Sequence, residues 1–270
     1  ASLSVAGLYG AAPGQITVAG PLEVPNRGLI ERDGSFGDAG MVSGGFDSVT
    51  NAITHYLIGP GLRVGDNLLH SFRRFGVGAG ETALFTGPAG IRNIVARVTG
   101  GEASQIDGTL GTTIAGAALY LLNPAGVFFG SSSQLNLLGS LHLSTADRLR
   151  FADGVLDSGR VGPVSGLESD PGDFEFDASN AAPIEFAADL TAPGDAALSM
   201  LGQGSVRLLD SIPFGGLAAA RVRIEGDTIE VDRSITARGS DGSGGRIEIA
   251  GRSIRLGDFR ILSASGGLGG

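Results

Sequence analysis

The 270-residue sequence contains no cysteine, no lysine and no tryptophan. Without cysteine the chain cannot form a disulfide, and a zinc site with thiolate ligands is excluded. In an exported protein no disulfide would then lock the chain before or during transport, but a cysteine-free cytosolic protein fits the same observation.

Positive charge is also scarce. Arginine supplies all 19 basic residues, which are outnumbered by 28 acidic ones, so the net charge is −9. This balance predicts no nucleic-acid binding and repulsion from anionic membranes, although a local arginine patch could still form.

Long hydrophobic runs are missing as well. No apolar stretch approaches the ~20 residues that a membrane-spanning helix needs, so we expect no membrane insertion. The first residues, ASLSVAGLYG, lack the basic region of a signal peptide. The chain is therefore either a mature form whose signal has been removed or a protein that was never exported.

Glycine is abundant, with 47 residues, and hydrophobic residues make up 42% of the chain, which excludes disorder. Residues 67 to 151 consist of short apolar runs separated by Gly, Pro, Asn and Ser. Runs of this length between turn residues predict short strands rather than helices.

The apolar runs recur at a nearly constant interval. Ile94 is followed after 25 positions by Leu119 and then after 22 by Leu141, while Ile229 precedes Ile254 by 25. A period of this size predicts a solenoid whose coils bury their apolar faces against each other. The signature of leucine-rich repeats and their helix are missing.

We therefore predict an all-β protein: a right-handed parallel β-helix, formed as a single-stranded solenoid with an N-terminal cap and extra-helical β-hairpins. One domain should cover residues 1–270. Its predicted parts are a cap over 1–50, the core β-helix motifs over 51–152, an extra-helical insertion over 153–193, and further coils over 194–270 that we expect to continue in a longer protein.

Signals for catalysis or metal binding are weak. The histidines His55, His70 and His142 show no ligand spacing. The acidic stretch 168–177 fits a solvated loop or hairpin better than a calcium site, although oxygen ligands suit that ion. We predict no cofactor, no metal and no catalytic residue.

A polysaccharide lyase or hydrolase remains an alternative, because parallel β-helices also carry these activities with paired carboxylates on neighbouring coils. The available acids fall at turns and do not pair under the 25-residue period; they are Asp107, Asp147, Asp227 and Asp232.

An ordered series of motifs covers about a third of the chain. The segments are NLLHSF (67 to 72), FGV (75 to 77), NIVARVTGGEASQIDG (93 to 108), AALYLLNPAGVFFG (117 to 130) and LNLLGSLHLSTAD (135 to 147). This series resembles the secretion domain of two-partner secretion exoproteins of the filamentous-haemagglutinin type. The departures from that pattern leave the strands intact; they are Leu69, Gly76, Ala125 and Leu143.

The resemblance implies a non-enzymatic export module from a Gram-negative bacterium. It would be recognised in the periplasm by the POTRA domains of a dedicated outer-membrane β-barrel transporter, which then exports a large, adhesin-like passenger to the cell surface or the medium. It also implies that the domain acts as a template for the later coils, and we expect a monomer. A directly adhesive domain remains a second alternative.

The residues at the matching motif positions are the candidates for transporter recognition. They are Asn67, His70, Ser71, Phe72, Asn93, Arg97, Gly100, Gly101, Asn123, Pro124 and Gly126. Their Asn, Pro and Gly residues also form turns without any partner, so a purely structural role stays open.

Overall fold

The computed structural model describes residues 3–4, 15–16, 29–37, 42–46, 53–177, 179–209, 216–239, 245–257 and 262–264. Every regular element within these ranges is a β-strand. The predicted cap over 1–50 therefore lies mostly outside the described residues. None of the described segments is a helix that could span a membrane.

The strands are short, as the spacing of turn residues predicts. The N-terminal strands are β1 (Leu3–Ser4), β2 (Gln15–Ile16), β3 (Ile30–Arg32), β4 (Val42–Phe46), β5 (Ile53–Ile58) and β6 (Leu62–Val64). The next nine are β7 (Asn67–Phe75), β8 (Thr82–Phe85), β9 (Asn93–Val98), β10 (Ser104–Ile106), β11 (Thr109–Thr112), β12 (Ala118–Leu122), β13 (Val127–Phe129), β14 (Gln134–Asn136) and β15 (Leu141–Ser144).

The second half of the chain continues in the same way. It contains β16 (Arg148–Phe151), β17 (Gly154–Asp157), β18 (Pro171–Glu175), β19 (Ile184–Phe186), β20 (Leu190–Thr191), β21 (Ala197–Leu201), β22 (Ser205–Leu208), β23 (Gly216–Ala219), β24 (Arg221–Val231), β25 (Ser234–Ala237), β26 (Arg246–Leu256) and β27 (Leu262–Ala264).

These strands form a parallel β-solenoid of about 8 turns with three faces. Face A stacks β7, β9, β12, β15, β21 and the first halves of β24 and β26. Face B stacks β10, β13, β19, β22 and the second halves of β24 and β26. Face C contains two parallel runs, β5 to β14 and β20 to β27. The predicted fold class is confirmed.

The register of the strands follows the period read from the sequence. Leu119 pairs with Ile94 on one side and with Leu141 on the other, and Ile229 pairs with Ile254. Equivalent residues of successive coils therefore lie directly above one another. Their inward side chains form one continuous apolar core along the solenoid.

A second, smaller core lies outside face A. Successive side chains of a strand point to opposite faces, so Leu68 points into the solenoid while Leu69 points outward. The outward residues Leu69, Val95 and Leu122 pack against Leu149 and other side chains of an antiparallel sheet formed by β16, β17 and β18. Because face A is covered on both sides here, all six residues of β9 are buried.

The extra-helical sheet is an insertion between face A and face B of one coil, since β15 precedes it and β19 follows it. At the other end, β3 and β6 pair antiparallel with β7, and β4 pairs antiparallel with β5. The predicted division of the chain into four parts stays a prediction.

Candidate functional site

The candidate residues lie on face A and on the turns of the early coils, and most of their side chains are shielded from solvent. Seven of them are at most 6% exposed: Asn67, His70, Ser71, Phe72, Asn93, Arg97 and Asn123. In the folded domain, most of the candidate side chains are thus buried. The polar side chains among them form separate clusters, each of which joins segments far apart in the sequence.

The first cluster, here called the asparagine cluster, lies at the beginning of face A. Asn67 and Asn93 are paired on adjacent strands, and Asn93 Nδ2 donates to Asn67 Oδ1 at 2.8 Å. Asn67 Nδ2 donates to the carbonyl oxygens of Leu167 and Ser169, both at 2.7 Å, and Asn93 Nδ2 also donates to Asp170 Oδ1 at 3.0 Å. The two side chains therefore fasten the segment before β18 to the first coils.

The second cluster, here called the arginine cluster, lies at the opposite end of the same strands. Arg97 Nε donates to Ser71 Oγ at 2.7 Å, and Ser71 Oγ donates to Asp33 Oδ2 at 2.5 Å. Arg97 also donates to the carbonyl oxygens of Asp157 at 2.6 Å and Gly162 at 3.3 Å. One buried guanidinium thus connects face A, the loop after β3 and the loop after β17.

Two further contacts complete the arginine cluster. The guanidinium lies 5.2 Å from the centre of the Phe36 ring, a distance suited to a cation–π contact. Thr99 Oγ1 donates to Asp33 Oδ2 at 2.9 Å.

Electrostatics keep this cluster ionised. Burial lowers the pKa of Arg97, while the charges of Asp33 and Asp157 oppose that shift, and a guanidinium remains charged at neutral pH. Burial acts to raise the pKa of Asp33, but hydrogen bonds from Ser71, Ser35 and Thr99 bring it below its ordinary value. The arginine cluster therefore holds two opposite charges, those of Arg97 and Asp33, which the hydroxyl group of Ser71 bridges.

His70 points into the solenoid, and its environment is apolar. Its ring is stacked with that of Phe72 at 6.0 Å and contacts the edge of Phe85 at 5.0 Å. Neither ring nitrogen has a hydrogen-bond partner among the described residues, and burial lowers the pKa of His70 to about 3. A neutral histidine in this position is a core residue and not a base acting on an external substrate.

The remaining candidates shape turns. Asn123 Nδ2 donates to the carbonyl oxygen of Glu102 and to Ser104 Oγ, and Asn123 Oδ1 accepts from the amide of Ala125. This last bond is the Asx turn that an Asn-Pro sequence favours. Gly126 follows with a φ of +121°, a conformation that other residues rarely adopt.

Glycine is needed at Gly100 and at Gly101 for different reasons. A Cβ atom on Gly100 would lie 2.0 Å from the carbonyl oxygen of Arg73, so only glycine fits against the preceding coil. Gly101 has a φ of +76° and no atom near its Cα hydrogen, so its conformation, and not space, requires glycine.

The motif in the sequence does not predict the partners of its polar residues, among them Asp33, Asp157 and Leu167. Asn67 and Leu167 are 100 positions apart, and Arg97 and Asp157 are 60 apart. Backbone carbonyl groups accept most of these bonds, so no side-chain pattern in the sequence could have indicated them.

The acidic stretch 168–177 forms ion pairs. Asp170 lies 3.2 Å from the guanidinium of Arg92, Asp177 lies 2.8 Å from that of Arg148, and Glu175 pairs with Arg150. Within the described ranges, no three His, Asp or Glu side chains are grouped closely enough to hold a metal ion. This stretch belongs to the extra-helical sheet and its flanking turns, as the hairpin interpretation predicts.

Comparison with known proteins gives one match. A family model described as the TPS secretion domain matches residues 37–253. The match contains the asparagine cluster and most of the arginine cluster, apart from Asp33 and Phe36. No curated protein matches the chain.

Proposed function

The chain belongs to the TPS secretion domain family, and we propose that the POTRA domains of an outer-membrane β-barrel transporter recognise it. Membership makes it a secretion domain of a Gram-negative exoprotein that is a substrate of two-partner secretion and interacts with an outer-membrane transporter. The family is not a known enzyme family. What we propose beyond family membership is how the transporter recognises the domain, which route it takes and what passenger it carries.

The burial of the candidate residues supports a proposal about when the transporter recognises them. In the folded domain Asn67 and Asn123 are fully buried and Arg97 is 1% exposed, so a transporter could not touch their side chains without opening the structure. We propose that the POTRA domains bind these segments while the chain is still extended in the periplasm, for example by strand addition. The asparagine and arginine clusters then form once the segments leave the transporter.

The same clusters suit a template for folding. A coil of a solenoid cannot bury its apolar face alone and needs a neighbour. The clusters fix the early coils to the extra-helical sheet and to the loop after β3. The coils fixed in this way then provide an ordered strand edge and apolar face on which the next coil can pack. We propose that the passenger continues this β-helix outside the cell and that it is an adhesin.

Binding of purified POTRA domains to the chain tests this recognition. If the clusters must open first, apparent affinity depends on the fraction of chain in the open state. An Asn67→Ala variant, which lacks three hydrogen bonds of about 1 kcal/mol each, should bind up to roughly 100-fold more tightly than the intact folded chain.

The control is Asn136→Ala, which changes the same residue type at an exposed position on β14. It should bind like the unchanged chain. If POTRA domains bind the folded chain tightly and Asn67→Ala weakens that binding, recognition of an open chain is wrong. If they bind no form of the chain, POTRA recognition itself is wrong.

A further inference from the structure

A cleft with a volume of about 400 Å³ lies beside the extra-helical sheet, where that sheet stops covering face A. Phe174 of β18 and the following Phe176 line one side, Tyr120 and His142 contribute to the floor, and Arg221 stands on the opposite side. The volume is in the usual range for a small-molecule site. None of these side chains belongs to the asparagine or arginine clusters.

The floor of the cleft is aromatic and uncharged. Tyr120 and His142 occupy paired positions on β12 and β15, and their rings stack at 4.3 Å with an angle of 19°. Phe174 is tilted against Tyr120 at 6.5 Å. Burial raises the pKa of Tyr120 to about 12 and lowers that of His142 to about 4, so both are neutral near pH 7.

The opposite side carries positive charge in an unfavourable arrangement. Arg221 and Arg246 occupy paired positions on β24 and β26, where strands lie about 4.8 Å apart. Both are exposed, and like charges in this position destabilise a sheet. Arg246 pairs with Glu248, but the side chain of Arg221 has no ion pair or hydrogen bond with any residue that the structure describes. A bound anion would remove this repulsion.

The cleft also contains hydrogen-bond acceptors. Glu225 lies 2.6 Å from the guanidinium of Arg223, and both line the cleft together with Glu248. Sugar hydroxyl groups both donate and accept hydrogen bonds, so they match a surface that alternates guanidinium and carboxylate groups. Acidic peptide side chains fit less well, because an ionised carboxylate only accepts hydrogen bonds and offers no donor to Glu225 and Glu248.

From this geometry we propose that the cleft binds an acidic saccharide, whose carboxylate or sulfate group lies between Arg221 and Arg246 and whose ring packs against the aromatic side of the cleft. A carboxylate and a sulfate group would bind in the same way here, since a guanidinium binds either of them through two parallel hydrogen bonds. This site is independent of transporter recognition.

Isothermal titration calorimetry on the 270-residue chain tests the site. The probes are a hexuronate oligosaccharide, a sulfated oligosaccharide, a neutral oligosaccharide of equal length and a poly-glutamate peptide. At least one anionic saccharide should bind, and its affinity should fall as salt is raised. Comparison of the two anionic probes identifies which group the arginines accept.

Variants locate the binding. Arg221→Gln should weaken it at least tenfold, and Phe176→Ala should weaken it without changing its salt dependence. Arg252→Gln is the control, because Arg252 is on β26 and its side chain is 86% exposed but does not line the cleft. The proposal is overturned if neither anionic saccharide binds, if the neutral oligosaccharide or poly-glutamate binds as tightly, or if Arg221→Gln and Arg252→Gln have equal effects.

Discussion

Replacement of Asn67 by alanine should detach the extra-helical sheet from face A. The side chain is fully buried, donates to the Leu167 and Ser169 carbonyl oxygens and accepts from Asn93. Each such bond contributes about 1 kcal/mol net, and alanine would leave two carbonyl groups without these donors. We expect a loss of about 3 kcal/mol in the free energy of unfolding.

Urea unfolding followed by far-ultraviolet circular dichroism measures this loss. Hydrogen exchange should show its location, with faster exchange of the amide groups of β16 and β18. Asn136→Ala, at an exposed position on β14, should change stability by less than about 0.5 kcal/mol. If Asn67→Ala matches this control and exchange in the extra-helical sheet is unchanged, the asparagine cluster does not hold the sheet.

Three further changes probe the other motif residues. The pKa of His70 is about 6.5 in the unfolded chain and about 3 in the folded one. Its contribution to stability is therefore fully present above pH 6.5 and falls by about 1.4 kcal/mol per pH unit between pH 6.5 and about pH 3. His70→Phe should reduce the acid dependence of urea unfolding by that slope in this range, and an unchanged slope would contradict the buried neutral ring. Arg97→Lys should lower stability by more than about 1 kcal/mol in the same assay, because an ammonium group cannot reach three acceptors with the geometry of the guanidinium; equal stability would show that charge alone suffices. Gly100→Ala should lower the thermal midpoint, because the new Cβ would lie 2.0 Å from the Arg73 carbonyl oxygen. Gly159→Ala should have little effect, because its Cβ would meet only a side-chain oxygen at 3.3 Å. Equal midpoints for the two variants would contradict the tight contact at Gly100.

Stacking in a solenoid explains why the sequence predicts the coils so well. Each coil repeats the same inward positions, so the interval from Ile94 to Leu119 and then to Leu141 is also the strand register. Local turn chemistry likewise predicts the turn at Asn123, since its Asx turn involves only neighbouring residues.

The clusters could not be predicted in the same way. Asn67 binds carbonyl groups of an insertion, and an insertion breaks the period that relates one coil to the next. His142 points away from the solenoid core, yet its ring stacks on that of Tyr120 with 4.3 Å between the centroids, and its Nδ1 lies 2.6 Å from Ser199 Oγ. Whether an outward residue meets solvent depends on where the extra-helical sheet folds back, which no local pattern encodes.

Export of a reporter protein tests the secretion role most directly. Residues 1–270 would be placed behind a cleavable secretory signal peptide and fused to the reporter, in Gram-negative cells with and without the cognate outer-membrane transporter. We expect the reporter in the medium or on the cell surface only when the transporter is present. Retention of the reporter in the periplasm despite a functional cognate transporter would contradict the proposed role.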